Sequence, residues 1–174
     1  RGGARPGDAL VVTGELGGAA AGLLLLEEGR SGPLAARQLE PEPRLAAGRA
    51  LAAAGATAMI DLSDGLGGDA VRLAEASGVG LRIDAGALPI AAGVAEAAAA
   101  TGRDPLRLAA SGGEDYELLA ALPAERLDEA ATALATVEGG LALARVGEVV
   151  EGGGIEIRLP GGGTLPAAGF DQLA

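Results

Sequence analysis

Short apolar runs and helical repeats of apolar residues follow one another along the first half of the chain. Residues 9–13 form a β-branched apolar run, which predicts a buried strand. Residues 16–28 carry a longer apolar stretch that ends at Gly29, which favours a helix. Residues 66–76 place apolar side chains at helical spacing, whereas residues 79–84 alternate with a period of two. The pattern therefore predicts helices and strands that are interleaved.

The rest of the sequence also predicts both helices and strands. The predicted helices span residues 44–54, 91–101, 105–110 and 123–136, and the predicted strands span residues 58–61, 116–122, 141–150 and 155–159. We expect the last two strands to form a hairpin through the turn at residues 151–154. Residues 32–43 hold three prolines and are predicted to be a loop. The fold class that follows is α/β (α+β): a layered α/β/α domain with a mixed sheet, not a strictly alternating doubly wound one.

Length and composition indicate the number of domains and the residue types that fill the core. The chain has 174 residues, which suits one domain spanning 1–174. Hydrophobic residues make up 49% of the sequence against 21% charged residues, which is typical of a folded protein. Phe, Tyr and Met each occur once and Trp is absent, so the core must consist of Leu, Val, Ile and Ala.

The missing residue types exclude several kinds of chemistry. The chain contains no Cys and no His, and all 13 basic residues are Arg. These absences exclude from this chain cysteine nucleophiles, Cys/His zinc sites, Ser-His-Asp triads, Schiff-base lysines and P-loop lysines. Any reaction that the chain supports must use carboxylates, hydroxyls, arginines, backbone amides or a bound metal.

The chain is strongly acidic. A net charge of −11 disfavours binding to nucleic acid or to an anionic membrane surface. The sequence shows no signal peptide and no apolar run long enough to cross a bilayer, so we expect a cytoplasmic protein without a membrane partner. An acidic surface is compatible with divalent cations, which can carry an anionic substrate.

The first candidate site lies where a predicted strand meets a predicted helix. Asp61 and Asp64 stand three residues apart with the hydroxyl of Ser63 between them. Mg²⁺ prefers one or two carboxylates together with phosphate oxygens, and a helix N-terminus suits a phosphate. The competing interpretation is that Ser63 or Asp64 only caps the helix and that Asp61 only ends the strand.

The second candidate site is the segment Ser-Gly-Gly-Glu-Asp-Tyr-Glu at residues 111–117. Three carboxylates, Glu114, Asp115 and Glu117, crowd within four positions. Such crowding is tolerated more readily where a cation or a cationic ligand relieves the repulsion. The competing interpretation is a turn with solvated carboxylates at the start of a strand.

Two weaker signals lie near the beginning of the chain. Arg1 and Arg5 flank a predicted turn, and arginine can bind phosphate through two hydrogen bonds. Residues 14–18 are rich in glycine and either approach a phosphate or allow the next helix to pack closely. Solvated arginines and close helix packing are the simpler explanations of these two features.

Five motifs in a fixed order identify a family resemblance. They are Pro-Gly-Asp at 6–8, Val-Thr-Gly-x-Leu-Gly at 12–17, Ile-Asp-Leu-Ser-Asp-Gly-Leu at 60–66, Ser-Gly-Gly-Glu-Asp-Tyr-Glu-Leu at 111–118 and Gly-Phe-Asp at 169–171. Together they resemble the C-terminal domain of the thiamine-monophosphate kinase family, over essentially the whole chain. The resemblance implies a fold similar to the C-terminal domain of aminoimidazole ribonucleotide synthetase.

The resemblance implies an activity and a set of binding residues. The family transfers the γ-phosphoryl group of ATP to thiamine monophosphate, giving thiamine diphosphate, with Mg²⁺ ions. Matched by motif, Asp61 and Asp64 would be Mg²⁺ ligands. Arg1 and Ser63 would contact ATP, and Glu114 and Phe170 would contact thiamine monophosphate. Direct transfer between phosphates needs positioning and charge neutralisation, which agrees with a chain lacking Cys, His and Lys.

The resemblance also implies a partner domain. Members of the family carry an N-terminal domain with a Gly-Asp-Asp segment, which supplies most metal ligands and the dimer interface. This chain has no such segment, so we expect it to be inactive alone and to need that domain in a homodimer. Two alternatives remain open: a phosphometabolite-binding module without catalysis, and a related synthetase acting on another phosphorylated substrate.

Overall fold

A mixed seven-stranded sheet runs through the computed structural model, which describes residues 1–137 and 139–169. The strands are β1 (Ala9–Thr13), β2 (Ala58–Asp61), β3 (Gly80–Asp84), β4 (Leu118–Leu122), β5 (Leu143–Val150), β6 (Gly154–Arg158) and β7 (Thr164–Leu165). Their spatial order is β2-β4-β1-β5-β3-β6-β7. All neighbouring strands are antiparallel except β3 and β6, which are parallel. The predicted mixed sheet is confirmed.

Helices cover both faces of this sheet. They are α1 (Gly18–Glu27), α2 (Pro33–Leu39), α3 (Leu45–Ala53), α4 (Leu66–Ser77), α5 (Val94–Thr101), α6 (Pro105–Ser111) and α7 (Leu127–Ala135). Short 3₁₀ turns occur at Ala85–Ala87 and Ala124–Arg126. No helix in the described part of the chain is both long enough and apolar enough to cross a membrane.

Strand β1 shows how the two faces divide the core. Its residues are all buried, and their side chains alternate between the faces. Leu10 and Val12 pack in one cluster with α4 and α6, whereas Val11 packs in a second cluster with α3 and α7. A third cluster joins α1, α2 and α5. The layered α/β/α arrangement predicted from the sequence is therefore confirmed.

The close crossing of α1 and α2 explains part of the glycine content. A Cβ atom added at Gly22 would lie only 2.0 Å from the carbonyl oxygen of Leu34. The two helices therefore approach more closely than any side chain at position 22 would permit. In a core without large aromatic residues, this close approach removes space that bulky side chains would otherwise fill.

Two sequence-based predictions are wrong. Residues 33–39 form α2 and not a loop, because Pro33 occupies the first turn of the helix, where proline is well tolerated. Strands β5 and β6 do not form a hairpin, because β3 lies between them and pairs with both. Gly80 in β3 pairs with Val150 and with Gly154, so the predicted turn crosses over the end of β3.

Candidate functional site

The two candidate motifs lie side by side just beyond the paired ends of β2 and β4. The amide of Leu62 donates to the carbonyl of Glu117 at 2.8 Å, and the amide of Tyr116 donates to the carbonyl of Leu62 at 3.0 Å. The amide of Glu114 donates to the carbonyl of Ser63 at 2.9 Å. These bonds continue the pairing of the two strands, which brings Asp61, Ser63, Asp64 and Glu114 into one region.

The segment from Glu114 to Tyr116 has an unusual backbone. Glu114 has a φ of 71° and Tyr116 a φ of 50°, both in the left-handed region that residues with side chains rarely adopt. Such conformations persist only where the surroundings hold them in place, and they cluster at binding and catalytic sites. The backbone strain therefore supports a functional role for this segment.

Asp115 fixes the segment to the start of α1. Its carboxylate accepts hydrogen bonds from the amides of Gly17, at 2.7 Å, and Ala19, at 3.0 Å. Burial raises the pKa of Asp115 to about 6, although these two hydrogen bonds act in the opposite direction. The backbone amides of the glycine-rich segment after β1 thus bind a carboxylate of the same chain.

Glu117 joins the segment to two further side chains, those of Thr13 and Arg44. Its buried carboxylate accepts hydrogen bonds from Nε of Arg44 at 3.1 Å, from Nη2 of Arg44 at 2.9 Å and from the hydroxyl of Thr13 at 2.7 Å. The same hydroxyl accepts a hydrogen bond from the amide of Leu118 at 2.9 Å. An arginine of this chain therefore relieves the charge of Glu117, where the sequence had suggested a bound cation.

The pKa of Tyr116 is affected by nearby carboxylates. The carboxylate of Glu114 raises the pKa of Tyr116, and burial, Asp61 and Asp64 act in the same direction. The negative charges of Glu114, Asp61 and Asp64 therefore all act on the phenol of Tyr116. A metal cation or a cationic ligand is the chemical species that this concentration of negative charge favours.

The start of α4 is organised differently from the sequence-based prediction. The N-cap residue is Gly65, and it makes no side-chain hydrogen bond, so the interpretation of Ser63 or Asp64 as the cap is wrong. Instead, the buried carboxylate of Asp69 accepts the amide of Asp64 at 2.9 Å and Nη1 of Arg72 at 2.8 Å. Burial raises the pKa of Asp69, against the effect of both hydrogen bonds.

Arg72 completes this arrangement through the side chain of Asp64. Its Nη2 atom forms an ion pair with Asp64, while its Nη1 atom holds Asp69. Asp64 is therefore restrained through its backbone amide and through its carboxylate. The spacing of three residues between Asp69 and Arg72 on a helix was the only signal in the sequence for this network.

The backbone of Arg1, another of the predicted site residues, lies away from this region. The carbonyl of Arg1 accepts a hydrogen bond from Ser77 at the opposite end of α4, and a helix of 12 residues is about 18 Å long. Phe170 lies outside the described residues. The residue before it, Gly169, packs against Gly68 and against the carbonyl oxygen of Asp64 at the first turn of α4.

The donor set fits a hard cation that is shared with other ligands. Asp61 is exposed at the end of β2 and Asp64 is about a quarter exposed, so both offer carboxylate oxygens to solvent. Within the described part of the chain, no three carboxylates converge closely enough to form a metal site by themselves. Two carboxylates completed by phosphate oxygens or by ligands from elsewhere are the coordination that Mg²⁺ commonly takes.

A cavity adjoins this region on the side of α1 and α6. It has a volume of about 410 Å³ and opens beside Gly112, Gly113 and Glu114. Leu23, Leu24 and Leu108 supply most of its apolar wall. A cavity of this size, with an apolar wall and a few polar groups, suits a small molecule.

A comparison with known protein families decides the classification. Residues 5–160 match the family described as AIR synthase related protein, C-terminal domain. The chain belongs to this family. The resemblance found in the five sequence motifs is thereby confirmed, together with the α/β fold.

Relatives that this AIR synthase-related domain matches include thiamine-monophosphate kinases. The thiamine-monophosphate kinase of Halobacterium salinarum is 47% identical over 134 residues, which cover 77% of this chain and 44% of that protein. The solved thiamine monophosphate kinase of Aquifex aeolicus has a TM-score of 0.79 at 33% identity, covering 95% of this chain and 54% of that one.

A further solved structure carries ligands. AaThiL complexed with AMPPCP and TMP has a TM-score of 0.82 at 31% identity, covering 99% of this chain and 53% of that one. The chain thus spans about half the length of the relatives that it matches.

Proposed function

We propose that this chain is the C-terminal part of an ATP-dependent kinase that phosphorylates thiamine monophosphate to thiamine diphosphate. The observation that carries the proposal is the pairing of the two candidate motifs through the amide of Glu114 and the carbonyl of Ser63, at 2.9 Å. It is supported by relatives named thiamine-monophosphate kinase and by a similar structure that holds AMPPCP, an ATP analogue, and TMP.

Each residue of the site has a proposed task. Asp61 and Asp64 hold Mg²⁺, which neutralises the phosphate charge during transfer. Ser63 contacts the nucleotide close to the first turn of α4. The carboxylate of Glu114 faces the cationic thiazolium ring of the substrate. No residue of the chain needs to act as a nucleophile, because the acceptor is the substrate phosphate itself.

The rest of the proposal concerns the complete protein. A second domain supplies further metal ligands, and two copies of the protein form a homodimer in the cytoplasm. Arg1 contacts ATP, and its backbone lies beside Ser77, at the far end of α4 from Ser63. Phe170, which lies outside the described residues, provides an aromatic surface for the substrate.

The experiment is an assay of thiamine diphosphate formation from thiamine monophosphate, ATP and Mg²⁺. The product of the complete natural reading frame and this 174-residue chain are assayed in parallel. We expect activity in the complete protein and none in this chain. An inactive complete protein would refute the kinase proposal and favour a phosphometabolite-binding module or a synthetase for another substrate.

Substitutions of the acidic pair test the metal site within the complete protein. Asp61→Asn and Asp64→Asn should each lower turnover about 100-fold or more, because each removes a charged metal ligand. Asp128→Asn is the matched control, since Asp128 is an exposed acid on α7, on the other face of the sheet. Thermal melts show whether each variant folds. Turnover at the control level in both variants would contradict the metal-binding role.

A further inference from the structure

The two carboxylate oxygens of Asp64 have different surroundings among the described residues. Oδ2 forms an ion pair with Nη2 of Arg72. Oδ1 has only a long contact, of 3.5 Å, with the hydroxyl of Ser63. Because Arg72 occupies Oδ2, the oxygen that this carboxylate can offer to a metal ion is Oδ1.

The guanidinium of Arg72 is held in this position from its other side. Its Nη1 atom donates to the carboxylate of Asp69 at 2.8 Å, and Asp69 is only 1% exposed. Asp69 also accepts the backbone amide of Asp64 at 2.9 Å. The planar guanidinium presents its donors in a fixed geometry, so the bond at Nη1 also determines where Nη2 lies. Arg72 is therefore a rigid bridge between two carboxylates.

This bridge does not cancel the negative charge of the site. Two carboxylates, those of Asp64 and Asp69, share a single guanidinium, which leaves an excess of negative charge. Asp61, exposed at the end of β2, adds a further carboxylate to the region. The site therefore still attracts a cation although Arg72 is present.

A carboxylate with one available oxygen suits some divalent cations better than others. Mg²⁺ demands a near-octahedral arrangement of ligands at about 2.0–2.1 Å and keeps several of its waters, so single carboxylate oxygens suit it. Ca²⁺ is larger, takes about six to eight oxygens and often uses both oxygens of one carboxylate. The two ions therefore differ in how much they gain from Oδ2 of Asp64.

We propose that Arg72 determines the metal selectivity of the site. By occupying Oδ2 of Asp64, it prevents this carboxylate from binding an ion through both oxygens and so favours Mg²⁺ over Ca²⁺. Asp69 is the residue that holds Arg72 in place for this purpose. The inference rests on the proposed kinase function, in which Asp64 is a metal ligand.

The test compares the two ions in the complete protein. Mn²⁺, which also prefers octahedral oxygen ligands, is bound in the presence of AMPPCP at a fixed concentration, and electron paramagnetic resonance measures the unbound Mn²⁺. The Mn²⁺ ions that Asp64→Asn fails to bind identify the site at Asp64. The concentration of Ca²⁺ that displaces half of these ions, divided by the corresponding concentration of Mg²⁺, is the selectivity ratio.

Arg72→Gln should lower this ratio about tenfold, because Ca²⁺ gains the second oxygen of Asp64 and Mg²⁺ does not. Arg126→Gln is the matched control. Arg126 forms an ion pair with Glu129 at the same spacing of three residues, at the start of α7 on the other face of the sheet. The control removes the same charge from a distant position, so its ratio should stay within about twofold of that of the unaltered protein.

Three results would overturn the inference. Equal strengthening of Ca²⁺ and Mg²⁺ binding in Arg72→Gln would show that Arg72 acts through its charge alone. A ratio equal to that of the control would show that the second oxygen does not matter. Undiminished Mn²⁺ binding in Asp64→Asn would show that Asp64 holds no metal. Failure of the kinase proposal is recognised separately, because the unaltered protein would then form no thiamine diphosphate.

A second variant covers the case in which Arg72→Gln does not fold, since it leaves the buried carboxylate of Asp69 without its partner. Asp69→Asn combined with Arg72→Gln removes both charges, and asparagine keeps an acceptor for the amide of Asp64. Thermal melts show which variants fold. The combined variant should show the same fall of about tenfold in the ratio, and a ratio equal to that of Arg126→Gln overturns the inference.

Discussion

The residues of the segment 114–117 have different tasks. Asp115 and Glu117 bind groups of this chain, namely the amides at the start of α1 and the side chains of Thr13 and Arg44. Glu114 and Tyr116 carry the strained backbone and lie with Asp61 and Asp64. The first pair therefore supplies the attachment that allows the second pair to keep its conformation.

Asp115 gives this attachment a measurable pH dependence. Its pKa of about 6 in the folded protein lies above the ordinary value of an aspartate, so the folded state binds more protons than the unfolded state between about pH 4 and pH 6. The free energy of unfolding contributed by this group therefore falls as the pH rises through that window, by about 2–3 kcal/mol in total.

Asp115→Asn removes this titration. The free energy of unfolding of the unaltered chain, minus that of the variant, should fall as the pH is raised from 4 to 7, as measured by urea denaturation. Other titrating groups occur in both proteins and largely cancel from the difference. A difference that stays constant across this range would show that Asp115 titrates normally.

At the scale of elements, register and close backbone contact decide the arrangement of the sheet. The pairing of β1 with β5 shifts register between Leu10 and Val11, opposite Gly147 and Arg145. At this irregularity the neighbouring strand β3 lies very close, since a Cβ added at Gly147 would be 2.0 Å from the carbonyl oxygen of Arg82. Position 147 therefore has no room for a side chain.

Gly147→Ala should lower the free energy of unfolding by about 1–3 kcal/mol, because β3 or β5 must move to admit the methyl group. Gly153→Ala is the matched control, since a Cβ there meets nothing within 4 Å. Urea denaturation of the two variants checks the difference. Equal stabilities would show that β3 and β5 separate at little cost.

At the scale of the whole molecule, the net charge of −11 acts against the compact state. The candidate site adds to this effect, because it gathers Asp61, Asp64 and Glu114 in one region. Ion pairs on the surface offset little of the repulsion, since most of them join exposed side chains. Screening by salt should therefore stabilise the chain.

The melting temperature of this chain should rise when NaCl is raised from 0.01 M to 0.15 M, because the Debye length falls from about 30 to about 8 Å. MgCl₂ at equal ionic strength should raise it no further, since no three carboxylates of the described residues converge on one metal. Calorimetric melts measure both effects. A larger, saturable increase with MgCl₂ would show that this chain holds the metal by itself.

The apolar periodicity determined most strands and helices, because burying one face of an element requires a repeat of about two residues in a strand and 3.6 in a helix. The sequence also determined the family, since the motifs around Asp61 and Glu114 are local. It did not determine α2, where proline at a first helical turn resembles the prolines of a loop.

Only the tertiary structure decided which elements are neighbours and which charges meet. The insertion of β3 between β5 and β6, and the pairing of Glu117 with Arg44 across 73 positions, depend on contacts between distant parts of the chain. A local pattern carries no information about such contacts. For the same reason, the sequence placed Asp115 among crowded acids, and only the fold showed that it binds the amides at the start of α1.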